Sequence, residues 1–131
     1  MRGSSLRKSL KPYPKHLLHT LLDRTAARLP DKVAVIDGER SMTFRELEEA
    51  SLRFASALQS MGVKKGDRVA IFSFNCLEYV TAFFGISRTG AIATTLNPSY
   101  REREVAHQLH DSGATVLITQ GSIYATAKAA L

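Results

Sequence analysis

From Arg68 onward the chain alternates short, apolar, β-prone runs with helix-length amphipathic segments, and that alternation constrains the fold more than any other feature. The runs are Arg68-Val69-Ala70-Ile71-Phe72, Ala91-Ile92-Ala93-Thr94-Thr95-Leu96 and Thr115-Val116-Leu117-Ile118-Thr119. Between the first two, a helix is predicted from Cys76 to Thr89, capped by Asn75, with Glu78 in its first turn and Gly90 as its stop. Between the last two, the capping box Ser99-Tyr100-Arg101-Glu102 opens a helix that carries Val105 and Leu109 and stops at Gly113. A final helix is predicted from Ile123 to Leu131. Antiparallel strands would be joined by tight turns; helices in those places make crossovers, so the strands run parallel. Runs that are apolar without alternation belong to strands covered on both faces. The expected fold is α/β and doubly wound, with a mainly parallel sheet and crossover helices.

Upstream, Pro12-Tyr13-Pro14 blocks helix and separates a basic arm, residues 1–15, from a globular part, residues 16–131. Leu18, Leu21, Leu22 and Leu29, joined by Thr25, follow helical spacing until Pro30 ends the run. Val33-Ala34-Val35-Ile36 reads as a strand closed by the turn dipeptide Asp37-Gly38, with Ser41 and Met42 as a brief return. Thr43-Phe44-Arg45-Glu46 is a capping box, and Leu47, Ala50, Phe54, Leu58 and Met61 then fall on one helical stripe that Gly62 stops.

The net charge of +6 invites a nucleic-acid reading, but its location argues against one. Residues 1–32 hold eight basic and two acidic side chains, while from Val33 onward ten basic residues balance ten acidic ones. The excess therefore describes an arm and a first helix, and the globular part offers no electrostatic footprint for a phosphate backbone. The arm lacks the apolar stretch and cleavage site of a secretory signal, and Met1-Arg2-Gly3-Ser4 is equally compatible with an expression tag. No apolar run approaches the ~18 residues of a membrane span. A lone Cys76 makes no internal disulfide, which favours a reducing compartment.

Bottom-up chemistry finds no complete active site. Gly85-Ile86-Ser87-Arg88-Thr89-Gly90 has the glycine spacing of a phosphate loop, but Ala91 stands where the lysine belongs. Gly85 also lies inside a helical pattern, where close helix packing explains it better. His16 with His19, and His107 with His110, each sit three apart and would meet a zinc ligand count only on adjacent helices, so no metal site is expected. Cys76 falls in a first helical turn, which favours a thiolate, yet no neighbouring motif names a base, and it reads as a small apolar core residue. Arg101-Glu102-Arg103-Glu104 reads as a solvated face.

The order of several short motifs carries a resemblance. These are Pro30-Asp31-Lys32-Val33-Ala34-Val35-Ile36, Met42-Thr43-Phe44-Arg45-Glu46-Leu47, Gly62-Val63-Lys64-Lys65-Gly66-Asp67-Arg68-Val69-Ala70 and Asn75-Cys76-Leu77-Glu78-Tyr79. Gly90-Ala91, Asn97-Pro98-Ser99-Tyr100, His107-Gln108-Leu109 and Asp111-Ser112-Gly113-Ala114 follow. Over roughly residues 16–120 the chain resembles the N-terminal part of the adenylate-forming acyl-CoA synthetases. It is most similar to long-chain fatty-acid–CoA ligases, with 4-coumarate ligases and beetle luciferases close behind. Ser73-Phe74 departs from the proline that many relatives place before the asparagine.

The resemblance implies a two-step reaction. A fatty carboxylate attacks the α-phosphate of ATP in the presence of Mg²⁺ and releases pyrophosphate; the CoA thiolate then displaces AMP. It also implies that residues 16–131 are an incomplete subdomain, because the phosphate loop, the acidic residues for ribose and magnesium, and the lysine-bearing C-terminal domain match nothing here. No catalytic residue and no metal ligand carries over, and the segment is expected to be inactive alone and to bind no cofactor by itself. ATP, Mg²⁺ and CoA are implied for the whole enzyme, which is expected in the cytoplasm. The implied partners are the remainder of the enzyme, fatty acid, ATP and CoA, with Arg101, Arg103 and Gln108 as candidates for contact with the CoA nucleotide. Two readings of other classes stand beside this one. One is a free-standing interaction module that self-associates through exposed apolar surface. The other is peripheral membrane contact through the basic arm and the leucine-rich helix. An aryl-CoA ligase or a luciferase-type enzyme remains the alternative chemistry on the same scaffold.

Overall fold

A computed structural model describes residues 15–131. The expected basic arm lies outside the described residues except for Lys15. Helix α1 (Leu18–Arg28) leads into a hairpin of β1 (Val33–Asp37) and β2 (Arg40–Thr43), and α2 (Phe44–Ser60) follows. Then come β3 (Arg68–Phe72), α3 (Leu77–Thr89), β4 (Ile92–Leu96), α4 (Glu102–Ser112) and β5 (Val116–Thr119). A 3₁₀ turn (Gly121–Ile123) and α5 (Tyr124–Ala129) close the chain.

The three later strands form one parallel sheet in the order β4-β3-β5. Val69 stands opposite Ala93 on one side and Val116 on the other. Strand β3 is the most buried: Val69, Ala70, Ile71 and Phe72 are all fully inaccessible. Its alternating side chains feed two cores. Val69 and Ile71 pack with Leu58, Val63, Ala82 and Ile86 from the side of α2 and α3. Ala70 and Phe72 pack on the opposite face with Leu96, Val105 of α4 and Ala127 of α5. Helices on both faces of a parallel sheet are the doubly wound arrangement expected from the unbroken apolar runs.

The helix boundaries follow local chemistry at some ends and not at others. Thr43 caps α2 as expected: its hydroxyl accepts from the Glu46 amide at 3.2 Å, and the Glu46 carboxylate accepts from the Thr43 amide at 2.7 Å. Gly90 ends α3 at φ +77°, a conformation that a side chain would strain, and an added Cβ would press on Lys65. The expected Asn75 cap is corrected. Cys76 is the cap residue of α3, and no side chain there accepts from the first turn. The expected box at Ser99-Glu102 is also displaced by two residues. Asn97 and Ser99 are spent on a turn, the Asn97 side chain accepting from the Ser99 amide at 2.9 Å. Glu104 instead reaches back to the Arg101 amide at 2.8 Å.

Two apolar stripes need revision as well. Of the leucines expected to bury α1, only Leu22 does so, with Ala26; Leu18, Leu21 and Leu29 face solvent. On α2 the buried residues are Leu47, Ser51, Ala55 and Leu58, whereas Met61 is exposed. Among the described residues α1 packs on α2 and α3, and α2 packs mainly on α3.

Gly85 shows why α2 and α3 come so close. It lies inside α3, and a Cβ built on it would stand 2.7 Å from Phe54 Cδ1 and 3.0 Å from Phe54 Cβ. The residue is therefore a packing glycine, as its helical context predicts, and no phosphate loop forms around it.

Candidate functional site

The connections leaving β3 and β5 diverge, since α3 covers one face of the sheet and α5 the other. Neighbouring strands with diverging connections leave a crevice at their carboxyl ends, where open α/β sheets bind ligands. A cavity of about 300 Å³ opens at that place, with Ser73, Cys76, Tyr79, Thr119 and Gln120 in its wall and Arg40 at its rim.

Gln120 ties the crevice together. Its Oε1 accepts from the Phe74 amide at 2.9 Å and from the Ser73 hydroxyl at 2.7 Å, and its Nε2 donates to the Ser122 hydroxyl at 2.6 Å. One side chain thereby joins the loop after β3 to the loop after β5. Thr119 Oγ1, one position earlier, is buried without a hydrogen-bond partner. Cys76 is half-buried, its Sγ 3.8 Å from Ser73 Oγ. It faces a crevice instead of filling the core, which corrects the reading of it as an apolar core residue.

A charged latch closes the rim. Arg40 donates from Nη1 to Glu78 Oε1 at 2.6 Å, and from Nη2 to Glu78 Oε2 at 3.1 Å and to Asp37 Oδ2 at 2.5 Å. The bidentate grip holds the Glu78 carboxyl at about 2, far below its ordinary range, and pushes Arg40 further above its own. At that value Glu78 is a poor proton acceptor for the neighbouring thiol, so the crevice pairs no nucleophile with a base. It can bind through hydrogen bonds and apolar contact with Tyr79 and Ile118.

The grip has a signed pH consequence. Because the folded value lies below the ordinary 4.5, the Glu78 contribution is fully present above that pH and is lost as the pH falls toward 2. Glu78 is 67% exposed, so solvent screens the stabilisation. Arg40→Gln is expected to return the Glu78 carboxyl toward 4.5, as read by carboxyl-carbon NMR across an acid titration. An unchanged midpoint would show that Arg40 is not the cause.

The sequence-nominated residues separate. Arg103 and Gln108 share one face of α4 with Glu104, His107 and Asp111, along a surface depression of about 720 Å³ that Tyr100, ahead of the helix, also lines. Gln108 Oε1 is buried there without a donor. Arg101 borders a different depression, with Glu102 and Thr126. The two histidine pairs stay apart: α1 packs against α2 and α3, and α4 lies on the opposite face of the sheet. His16 precedes α1 and contacts Arg24. Among the described residues no three His, Cys, Asp or Glu side chains converge as metal ligands. With no such convergence the described residues offer no magnesium site, and no chemical step is assigned to them.

The latch and the Gln120 tie have no signal in the sequence. Their partners lie 38 and 46 to 47 residues apart, and no local pattern marks long-range pairs. The crevice itself was predictable from strand order, had that order been known.

A family model described as AMP-binding enzyme matches residues 22–131. The chain belongs to the AMP-binding enzyme family. Over 99 residues it is 48% identical to a long-chain-fatty-acid–CoA ligase of Salmonella typhimurium, covering 75% of this chain and 18% of that protein. Among solved structures it resembles the anthranilate CoA ligase AuaEII in complex with anthranoyl-AMP, at a TM-score of 0.83 and 30% identity over 86% of this chain and 22% of that one. It also resembles the inhibitor-bound N-terminal domain of FACL13 from Mycobacterium tuberculosis, at 0.81 and 29% over 85% and 28%. The chain thus spans about a fifth of the length of the curated relatives it matches. In this AMP-binding family member, the mixed α/β architecture with its parallel three-stranded sheet is that of acyl-CoA synthetase N-terminal subdomains.

Proposed function

We propose that this chain is the N-terminal segment of a ligase that activates a long-chain fatty carboxylate with ATP and transfers the acyl group to the thiol of CoA. The 48% identity to a long-chain-fatty-acid–CoA ligase across most of the globular part carries this reading. The segment supplies scaffold and wall, not reacting groups, and is inactive alone; residues 16–131 are then an incomplete subdomain that the rest of the enzyme completes. On this reading the enzyme works in the cytoplasm and touches the membrane only peripherally. No helix among the described residues is long and apolar enough to cross a membrane.

Contact with the CoA nucleotide belongs to the same proposal. Arg103 and the unpartnered Gln108 Oε1 on one face of α4 support it, and Arg101 at the helix start adds a second cation. Aryl-CoA ligases among the structural neighbours make an aromatic acid the competing substrate.

Exchange of labelled pyrophosphate into ATP tests the proposal. The 131-residue chain is expected to show none with oleate or with benzoate. The whole protein is expected to show oleate-dependent exchange. Exchange by the short chain would overturn its assigned inactivity, and dependence on benzoate alone would move the enzyme to the aryl ligases.

A further inference from the structure

Helix α1 buries the less apolar of two neighbouring faces. His19, Leu22, Asp23 and Ala26 stand at the i, i+3, i+4 and i+7 positions of one face, and Leu18, Leu21, Leu22 and Thr25 fill the same pattern one residue earlier. The second face carries three leucines where the first carries one, and a rotation of one residue, about 100°, separates them. The structure turns the first face inward. Leu22 and Ala26 are buried and His19 and Asp23 half-buried, while Leu18 and Leu21 are exposed. Apolar burial alone would favour the opposite choice.

The polar groups of the inward face meet fixed partners. Arg88 of α3 donates from Nε to Ser51 Oγ of α2 at 2.8 Å and from Nη2 to Asp23 Oδ1 at 2.5 Å. Ser51 is completely buried, so it anchors a planar guanidinium whose other arm has one direction open to it. Asp23 must come to that arm. A roll of α1 that buried Leu21 would carry Asp23 toward solvent and leave the nearly buried Arg88 without its counter-charge. One turn earlier on α1, His19 Nδ1 lies 3.4 Å from Ser87 Oγ, on the residue before Arg88.

We propose that Arg88 selects the rotation of α1: through Asp23 it holds the Leu22–Ala26 face inward against the more leucine-rich face beside it. A buried polar group can fix registry in this way, at a cost in stability. The choice is made among α1, α2 and α3, and it holds whatever covers the outward leucines elsewhere in the enzyme. It is independent of any ligase activity, so its failure leaves the proposed reaction untouched.

Methyl NMR relaxation by a soluble paramagnetic gadolinium chelate reads the rotation in the 131-residue chain. In the parent, the Leu18 and Leu21 methyls are expected to relax strongly and those of Leu22 and Ala26 weakly. Arg88→Met keeps most of the volume and removes the anchor. There the Leu18 and Leu21 enhancements are expected to fall about twofold or more, and that of Ala26 to rise by a similar factor. The double variant Asp23→Ser, Arg88→Met leaves neither charge and is expected to show the same reversal, with Val69 and Ile71 unchanged as references. Asp23→Glu keeps a carboxylate for Arg88 and is expected to keep the parent pattern. The parent pattern in both methionine variants would overturn the proposal and assign the rotation to apolar packing. Strong relaxation of all four α1 side chains in those variants would also overturn it, because the pair would then hold the helix on without choosing its face. Loss of the parent pattern in Asp23→Glu would overturn the role of the ion pair as well.

Discussion

Replacing Gly85 with valine is expected to cost about 3 kcal/mol, seen as a lower midpoint in urea with an unchanged slope. The Cβ alone would stand 2.7 Å from Phe54 Cδ1, closer than nonbonded carbons approach, and the branched methyls add volume to a closed contact between α2 and α3. Phe54 is half-buried and packed against the core formed by Leu58, Val63, Val69, Ile71, Ala82 and Ile86, so displacing its ring gives up that contact. Gly85→Ala would recover about 1 kcal/mol of helix propensity, which is why valine gives the clearer result. Adding Phe54→Ala to Gly85→Val should relieve the clash, so that the double variant is more stable than the summed single effects. A valine variant within about 0.5 kcal/mol of the parent would show that the helices slide apart freely.

Asp23→Ala is expected to cost about 2 kcal/mol through Arg88. The Arg88 side chain is only 9% exposed, and it joins three helices. Its Nη2 donates to Asp23 Oδ1 on α1 at 2.5 Å, and its Nε donates to Ser51 Oγ on α2 at 2.8 Å. Ser51 is completely buried and gives its own proton to the Glu48 carbonyl at 2.8 Å, so it serves Arg88 only as an acceptor. Removing Asp23 leaves a nearly buried guanidinium without its counter-charge. Asp23 is itself 36% exposed, and the expected cost is set below the 3–5 kcal/mol of a fully buried pair for that reason. Arg88→Met keeps most of the volume, removes the charge and should cost less than Asp23→Ala. The reverse order in urea titrations would mean that water solvates Arg88 when Asp23 is gone.

The sheet was legible in the sequence because both of its causes are local. Unbroken apolar runs such as Val69–Phe72 mark strands covered on two faces, and glycines at 90 and 113 punctuate the helices between them. The Thr43–Glu46 box was legible for the same reason, since both partners lie within one turn. The errors came where a second local preference competed. Ser99 reads as a cap, but Asn97 takes its amide for a turn and the helix starts later. The leucines of α1 fit a buried stripe by spacing alone, yet among the described residues that helix packs only on α2 and α3, through Leu22 and Ala26. The rim of the crevice was illegible throughout. Arg40 and Glu78 are an ordinary basic and an ordinary acidic residue until β2 and α3 bring them together. The family motifs located the chain among its relatives without revealing either feature.

Strand order also has a consequence in time. β3 is made before β4 and β5, yet it lies between them, and Val69 meets Val116 only after the intervening helices and β4 have been made. At the pace of a ribosome that is a delay of several seconds. Through it the most deeply buried run among the described residues, Val69 to Phe72, can have at most one neighbouring strand. The middle of the sheet is therefore the first of its strands to be synthesised and the last to be enclosed. In a growing chain this is the segment that a chaperone would have most reason to hold.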